Sequence, residues 1–215
     1  MSQVEGPPTL REQQRAYTRR RLMEAGHQVF AAKGYPDTRV DDIARQAGAS
    51  RATFYLHFKS KCELMTALVD DWMPFAVQTY HVLDQMLEDD GPQLPARLRG
   101  WLAEWLDVWT NGADVNHAML QATMLESDVE LHHLRLSEAL VDGLGHHQER
   151  VPAAQRGGAR NRALILEMMT QRIFALASQS MLPVSGDCLL DILTEMWMEV
   201  LVAGWPEPEG PGQPG

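Results

Sequence analysis

The stretch Gly34-Tyr35-Pro36-Asp37-Thr38-Arg39-Val40-Asp41-Asp42-Ile43-Ala44-Arg45-Gln46-Ala47-Gly48-Ala49-Ser50-Arg51-Ala52-Thr53-Phe54-Tyr55-Leu56-His57-Phe58 decides how this chain reads. Val40, Ile43, Ala44 and Ala47 recur at helical spacing and predict a short helix with one buried face. Thr38 stands where it would cap that helix, its hydroxyl accepting the Asp41 N–H while the Asp41 carboxylate reaches back. Gly48 ends it, and Ser50 predicts the cap of a second short helix, Arg51 to His57, anchored by Phe54 with Phe58 just beyond. Two short helices joined by Gly48-Ala49-Ser50 form a helix-turn-helix, in which the second helix enters the major groove of DNA and the first crosses the backbone. Glycine-turned helix pairs occur in many folds, so the residue identities have to carry the rest.

Upstream, a helix is expected from Leu10 to Lys33, with Leu22, Ala25, Gly26, Val29 and Phe30 on one face and Gly34 as its C-terminal cap. Gly26 inside it costs up to about 1 kcal/mol of helix propensity. Downstream, Ser60 caps a long helix through Leu64, Leu68 and Trp72, and Pro74 predicts a kink near Asp70–Pro74. Further helices are expected near 92–110, 114–126, 128–150, 157–180 and 186–203. Asn111-Gly112, Val151-Pro152, Gly157-Gly158 and Pro183–Gly186 supply the breaks. No alternating strand and no internal repeat is legible, so the fold class is all-α.

The net charge of −10 would argue against nucleic acid were it evenly spread. It is not: residues 1–61 hold eleven basic against six acidic residues, and the remainder holds eight against 23. A basic head on an acidic body confines a polyanion to one end. Cys62 and Cys188, the only cysteines, show neither metal spacing nor a disulfide framework, which suits a reducing cytoplasm. The N-terminus has no apolar stretch fit for a signal peptide, and no apolar run approaches the roughly 18 residues of a membrane span. A soluble cytoplasmic protein without membrane contact is expected. His132-His133 and His146-His147 lie 14 residues apart, too far along one helix to share a metal, and read as surface histidines. No nucleophile elbow, phosphate loop or ligand spacing stands out, so neither catalysis nor a cofactor is expected.

From Gly34 through Ser60-Lys61-Cys62-Glu63-Leu64 the residues closely resemble the TetR family signature, and the resemblance covers about residues 18–70. It implies a ligand-responsive, DNA-binding transcriptional regulator, most often a repressor that grips a near-palindromic operator as a dimer. At the matching positions it implies that Thr38 contacts a phosphate, that Arg51 and Thr53 face base edges, and that Tyr55, His57 and Lys61 hold phosphates. Arg39 and Ser50 adjoin them in the same DNA-binding surface. The chemistry agrees, because arginine reads guanine bidentately while hydroxyls and lysine bind backbone oxygens. Arg19, Arg20 and Arg21 either reach flanking phosphates or form a solvated face.

The expected organisation is a three-helix DNA-binding domain at 11–60 and a larger helical ligand-binding and dimerisation domain at 61–204, between loose tails at 1–10 and 205–215. The last two helices are apolar around most of their circumference, which suggests one face on the core and another on a second copy. A homodimer through 160–180 and 186–203 follows. Trp101, Trp105 and Trp109 at i, i+4 and i+8, with Met119, Met124, Met168 and Phe174, offer soft apolar walls. They predict a site for a small hydrophobic or aromatic effector between 95–125 and 160–180. The competing reading is a helical enzyme or small-molecule carrier that ignores DNA.

Overall fold

The computed structural model describes residues 9–89 and 91–202. The tails expected at 1–10 and 205–215 lie outside these residues, apart from Thr9 and Leu10, which open the first helix. Among the described residues there is no strand. In chain order their α-helices are α1 Leu10–Asp37, α2 Val40–Gln46, α3 Arg51–Tyr55, α4 Lys61–Met86, α5 Leu94–Asn111, α6 Ala113–Leu125, α7 Ser127–Asp142, α8 Gly145–Arg150, α9 Arg156–Ser178 and α10 Gly186–Leu201. A 3₁₀ turn, Ala153–Gln155, leads into α9. None of these helices is long and apolar enough to cross a membrane.

Local chemistry explains most of the boundaries. Thr9 caps α1, its hydroxyl accepting the Glu12 N–H while the Glu12 carboxylate accepts the Thr9 N–H at 2.7 Å. Gly34 adopts φ 74°, ψ 170° and turns the chain, so that Tyr35–Asp37 form a separate last turn. Ser60 caps α4 by accepting the Glu63 N–H at 3.1 Å. The single helix expected over 128–150 is in fact two, because Gly143 closes α7 with its N–H on Ala139 and Leu140 carbonyls. Gly157-Gly158 do not break the chain. They sit exposed in the first turn of α9, where nothing packs on them. α4 continues through Pro74.

The chain divides into two compact units. One holds the residues up to Trp72 together with Asp114–His133. Its core gathers Leu22, Phe30, Tyr35, Ile43, Phe54, Phe58 and Leu64 around Ala118 and Ala122 of α6. The other holds Met73–Ala113 and the residues from Leu134 on, with α5, α9 and α10 packed on one another. Trp101, Trp105, Phe174 and Trp197 are buried there. The division falls within α4, between Trp72 and Met73 and so beside Pro74, and it sides α6 with the N-terminal helices.

His147 and Gly26 differ from their sequence-based expectation. His147 is not a surface histidine: it is 1% exposed, and its Nδ1 faces the Leu201 carbonyl at 3.2 Å. Burial lowers its pKa, so it packs as a neutral imidazole with the proton on Nδ1. Gly26 is more than a weak helix former. A Cβ placed on it would come within 2.5 Å of Leu64 Cδ2, so a larger residue there forces the buried Leu64 side chain to shift.

Gly26→Val should therefore destabilise the protein by about 1–3 kcal/mol in denaturant unfolding. Gly100→Ala, at an exposed site in α5 where nothing lies within 4 Å, should stabilise it by up to about 1 kcal/mol. Equal effects at the two positions would contradict the close approach. His146 supplies a pH test. Asp84 accepts its backbone N–H at 2.9 Å and faces Nδ1 at 2.8 Å, and Glu88 faces Nε2 at 3.0 Å. The hydrogen bond to Asp84, then the charges of Asp84, Glu88 and Glu149, raise the imidazole pKa. Its stabilisation is full below the unfolded value of about 6.5 and is lost as pH rises through the higher folded value. The melting-temperature gap between the wild type and His146→Ala should narrow on going from pH 6 to pH 9, and a constant gap would show the pair is not ionic.

Candidate nucleic-acid interface

α2 and α3 are too short to persist alone, and the unit around them supplies what they lack. Ile43 and Ala44 bury the inner face of α2, and Phe54 buries that of α3. The turn between them depends on Gly48 at φ 61°. Ser50 caps α3 as expected, accepting the Thr53 N–H at 3.0 Å, and its hydroxyl also lies 2.9 Å from that of Thr53. The outer face of α3 is left to solvent. Arg51 and Tyr55 are exposed on it, and Leu56 just beyond is 73% exposed.

The exposed side chains are held, not loose. Arg51 donates to Asp41 at 3.1 Å across the turn and to the Tyr55 hydroxyl at 3.3 Å, and its guanidinium lies 5.6 Å from the Tyr55 ring. Arg39 stands at the start of α2, where its N–H is accepted by Asp42 at 3.3 Å. Asp42, drawn down in pKa first by its hydrogen bond with Lys33, also meets Arg45. His57 is half-buried, and burial followed by the charges of Arg15 and Arg19 lowers its pKa. It is therefore a neutral hydrogen-bonding group at pH 7.

Thr38 does not cap α2. Arg39 takes that place, while the buried Thr38 hydroxyl donates to the Gly34 carbonyl at 2.6 Å. The acid that reaches back is correspondingly Asp42, one residue on, and Asp41 is engaged with Arg51 instead. The turn at Gly34 shifts the register by one residue. Lys61 also has a local task. Its ammonium donates to the carbonyls of Tyr35 at 2.7 Å and Thr38 at 3.1 Å, and it sits 4.2 Å from the Tyr35 ring. Partial burial lowers its pKa against the opposing charges of Glu126 and Asp37.

Several positioning residues are not foreshadowed by the sequence pattern. Arg19 donates to the His57 carbonyl at 3.2 Å and lies over the Phe58 ring at 4.3 Å, and Arg21 donates to the Ala47 carbonyl. Both arginines brace the helix-turn-helix from α1 rather than forming an idle face. Gln121 of α6 accepts the Tyr35 N–H at 2.9 Å, and Glu126, just beyond α6, accepts the Tyr35 hydroxyl at 2.9 Å. These contacts span 86 and 91 residues of sequence, and no local pattern announces them.

The expected effector residues separate. Trp101, Trp105 and Trp109 of α5 and Phe174 of α9 are buried in the second unit, where Met168 of α9 is half-buried. Met119 packs against the core of the N-terminal unit, and Met124 is 78% exposed. Neither shares a unit with the tryptophans, because α6 spends its small-residue face, Ala118 and Ala122, on the N-terminal core.

Residues 22–68 match the sequence model of the family described as bacterial regulatory proteins, tetR family. An uncharacterized HTH-type transcriptional regulator of Pseudomonas putida, TtgW, is 44% identical over 52 residues, 24% of this chain and 39% of that protein. The match thus spans about two fifths of that relative's length. The fatty acid metabolism regulator protein of Bacillus subtilis (strain 168) is 25% identical over 187 residues, 85% of this chain and 93% of its own. Among solved structures, Salmonella enterica GusR is similar in fold, with a TM-score of 0.59 at 19% identity, covering 93% of this chain and 99% of that one. Through residues 22–68, its N-terminal helix-turn-helix segment, this chain matches the tetR family of bacterial regulatory proteins.

Proposed function

We propose that this protein is a cytoplasmic transcriptional regulator that binds a near-palindromic operator in double-stranded DNA as a homodimer, and that it is a repressor released by a small hydrophobic effector. The observation that carries this reading is the Ser50-capped α3, anchored by Phe54 from behind, with Arg51, Tyr55 and Leu56 exposed on its outer side. Arg51 and Thr53 read base edges, and the exposed Leu56 suits the methyl group of thymine. Arg39, Ser50, Tyr55 and His57 hold the backbone. Thr38 and Lys61, occupied by carbonyls in their own unit, set the height of α2 against α4 and add phosphate contact only through what their partners leave free.

The dimer reading is supported by α9 and α10. Both bury one face in their own unit, yet Ile165, Met169 and Ile192 stay exposed at 58%, 44% and 46%. Apolar side chains in this number on two helices that are already packed favour a second copy. Two recognition helices related by a two-fold axis then demand half-sites one helical turn, about 34–36 Å, apart. The effector reading is supported by the buried tryptophans of α5 and by the name of the Bacillus subtilis relative, a regulator of fatty acid metabolism.

On an operator selected from random duplexes, Arg51→Ala should cost about 1–3 kcal/mol and relax preference at one base pair of each half-site. Lys61→Ala should lower stability and weaken all sequences alike, reducing the salt slope by at most about one unit. An Arg51→Ala protein with unchanged sequence preference would remove that residue from base reading. The double change Met169→Glu, Ile192→Glu should yield a folded monomer in sedimentation with operator affinity reduced by orders of magnitude. A dimer that persists would place the interface elsewhere.

A further inference from the structure

The two acidic residues in the first turn of α2 do different things. Asp42 serves the helix: its carboxylate accepts the Arg39 N–H and meets Lys33 and Arg45. Asp41 takes no part in that cap. Its side chain is 49% exposed and reaches across the Gly48 turn to Arg51, the first residue of α3, at 3.1 Å through Oδ2 and 3.4 Å through Oδ1. The same guanidinium donates to the Tyr55 hydroxyl at 3.3 Å and lies 5.6 Å from the Tyr55 ring. That ring in turn packs edge-on with the buried Phe54 ring at 5.5 Å. Arg51 is thus held by α2 on one side and by a ring seated on the core on the other.

Fold stability does not account for this carboxylate. An ion pair between two exposed side chains contributes little in water. On a surface that meets phosphates, a carboxylate also repels the partner. Its contact with Arg51 bears on base reading instead. A free arginine samples many rotamers and reaches phosphates as easily as base edges. Ordering it in advance lowers the entropic cost of a bidentate contact. A guanidinium has five N–H donors, and the contacts to Asp41 and Tyr55 leave at least two for the O6 and N7 acceptors of guanine. The Tyr55 hydroxyl, an acceptor toward Arg51, keeps its own proton for a phosphate oxygen.

We propose that Asp41 is a positioning residue for base reading: with Tyr55 it directs the Arg51 guanidinium to guanine and keeps it from phosphates, lowering general affinity for DNA while raising sequence preference. The partner this implies is a half-site with a G·C pair facing Arg51. The proposal rests on the DNA-reading role given to α3 above.

Selection from random duplexes with the full-length protein, followed by titration of the selected duplex and a scrambled one, tests it. The Arg51 position is the base pair at which Arg51→Ala relaxes preference, and there the wild type should favour guanine by about tenfold or more. Asp41→Ala should cut that preference at least about threefold. The scrambled duplex should at the same time bind more tightly, with a salt slope steeper by up to about one unit. Affinity and preference then move in opposite directions, which a loss of folding cannot produce, and the melting temperature should stay within about 2 °C of the wild type. In an Arg51→Ala background, Asp41→Ala should leave base preference unchanged. An unchanged guanine preference in Asp41→Ala, or a fall that recurs in the Arg51→Ala background, would overturn the proposal. So would loss of a cytosine preference at another base pair with the Arg51 pair intact, which would make Asp41 a reader itself. If the wild type selects no sequence, the DNA-reading role falls and the proposal with it. If it selects a site that Arg51→Ala selects unaltered, the regulator reading stands and the positioning role falls.

Discussion

A five-residue helix cannot hold itself together in water, and everything in the N-terminal unit answers to that constraint. α3 has little more than one turn, so its direction is set by what grips it. Phe54 and Phe58 are fully buried beneath it, Ser50 satisfies its first turn, and Arg19 and Arg21 reach from α1 to the carbonyls on either side. Gly26 of α1 leaves room for the buried Leu64 side chain of α4, which joins the same core as those aromatic anchors. The outer face is then free to be polar and exposed without cost to the fold. Support sits on the inner face of this short helix, opposite the outer face proposed to read DNA.

A second layer of control enters at Tyr35. Its ring packs on Phe30 and under the Lys61 ammonium, while Gln121 and Glu126 take its N–H and hydroxyl. Burial and the Glu126 contact raise the phenol pKa, so the hydroxyl stays a donor at any physiological pH. α6 is thereby fixed to the turn that precedes the helix-turn-helix. The second unit follows a different logic, with buried polar groups on α9 and α10 set among tryptophans.

The parts of this architecture governed by local chemistry were legible in the sequence. The two short helices, the Ser50 and Ser60 caps, the turn at Gly34 and the anchors Phe54 and Phe58 follow from spacing and from residue chemistry within a few positions. The misplacement of the α2 cap from Arg39 to Thr38 is a one-residue error, and it arose because the positive φ at Gly34 frees Thr38 to bond backwards. What was not legible depends on chain segments that meet only after folding. Arg19 on the His57 carbonyl, Gln121 on Tyr35 and Asp84 on His146 join residues 38, 86 and 62 positions apart. His147 looked like one half of a surface pair because nothing in its neighbours signals that α8 tucks it beneath the end of α10. The residues expected to line an effector site were the least legible, since a methionine on α6 looks the same in sequence whether it lines a pocket, packs the N-terminal core or faces water.

On the proposed reading, the solvent-facing side of the firmly gripped α3 contacts DNA. The most direct measurement is to incubate the purified protein with sheared DNA from its source organism at physiological salt, recover the bound fragments and sequence them. Enrichment of one near-palindromic site, its half-sites about one helical turn apart, is the predicted result. Fragments recovered without a shared sequence, or none recovered even when cell extract supplies any missing ligand, would contradict it.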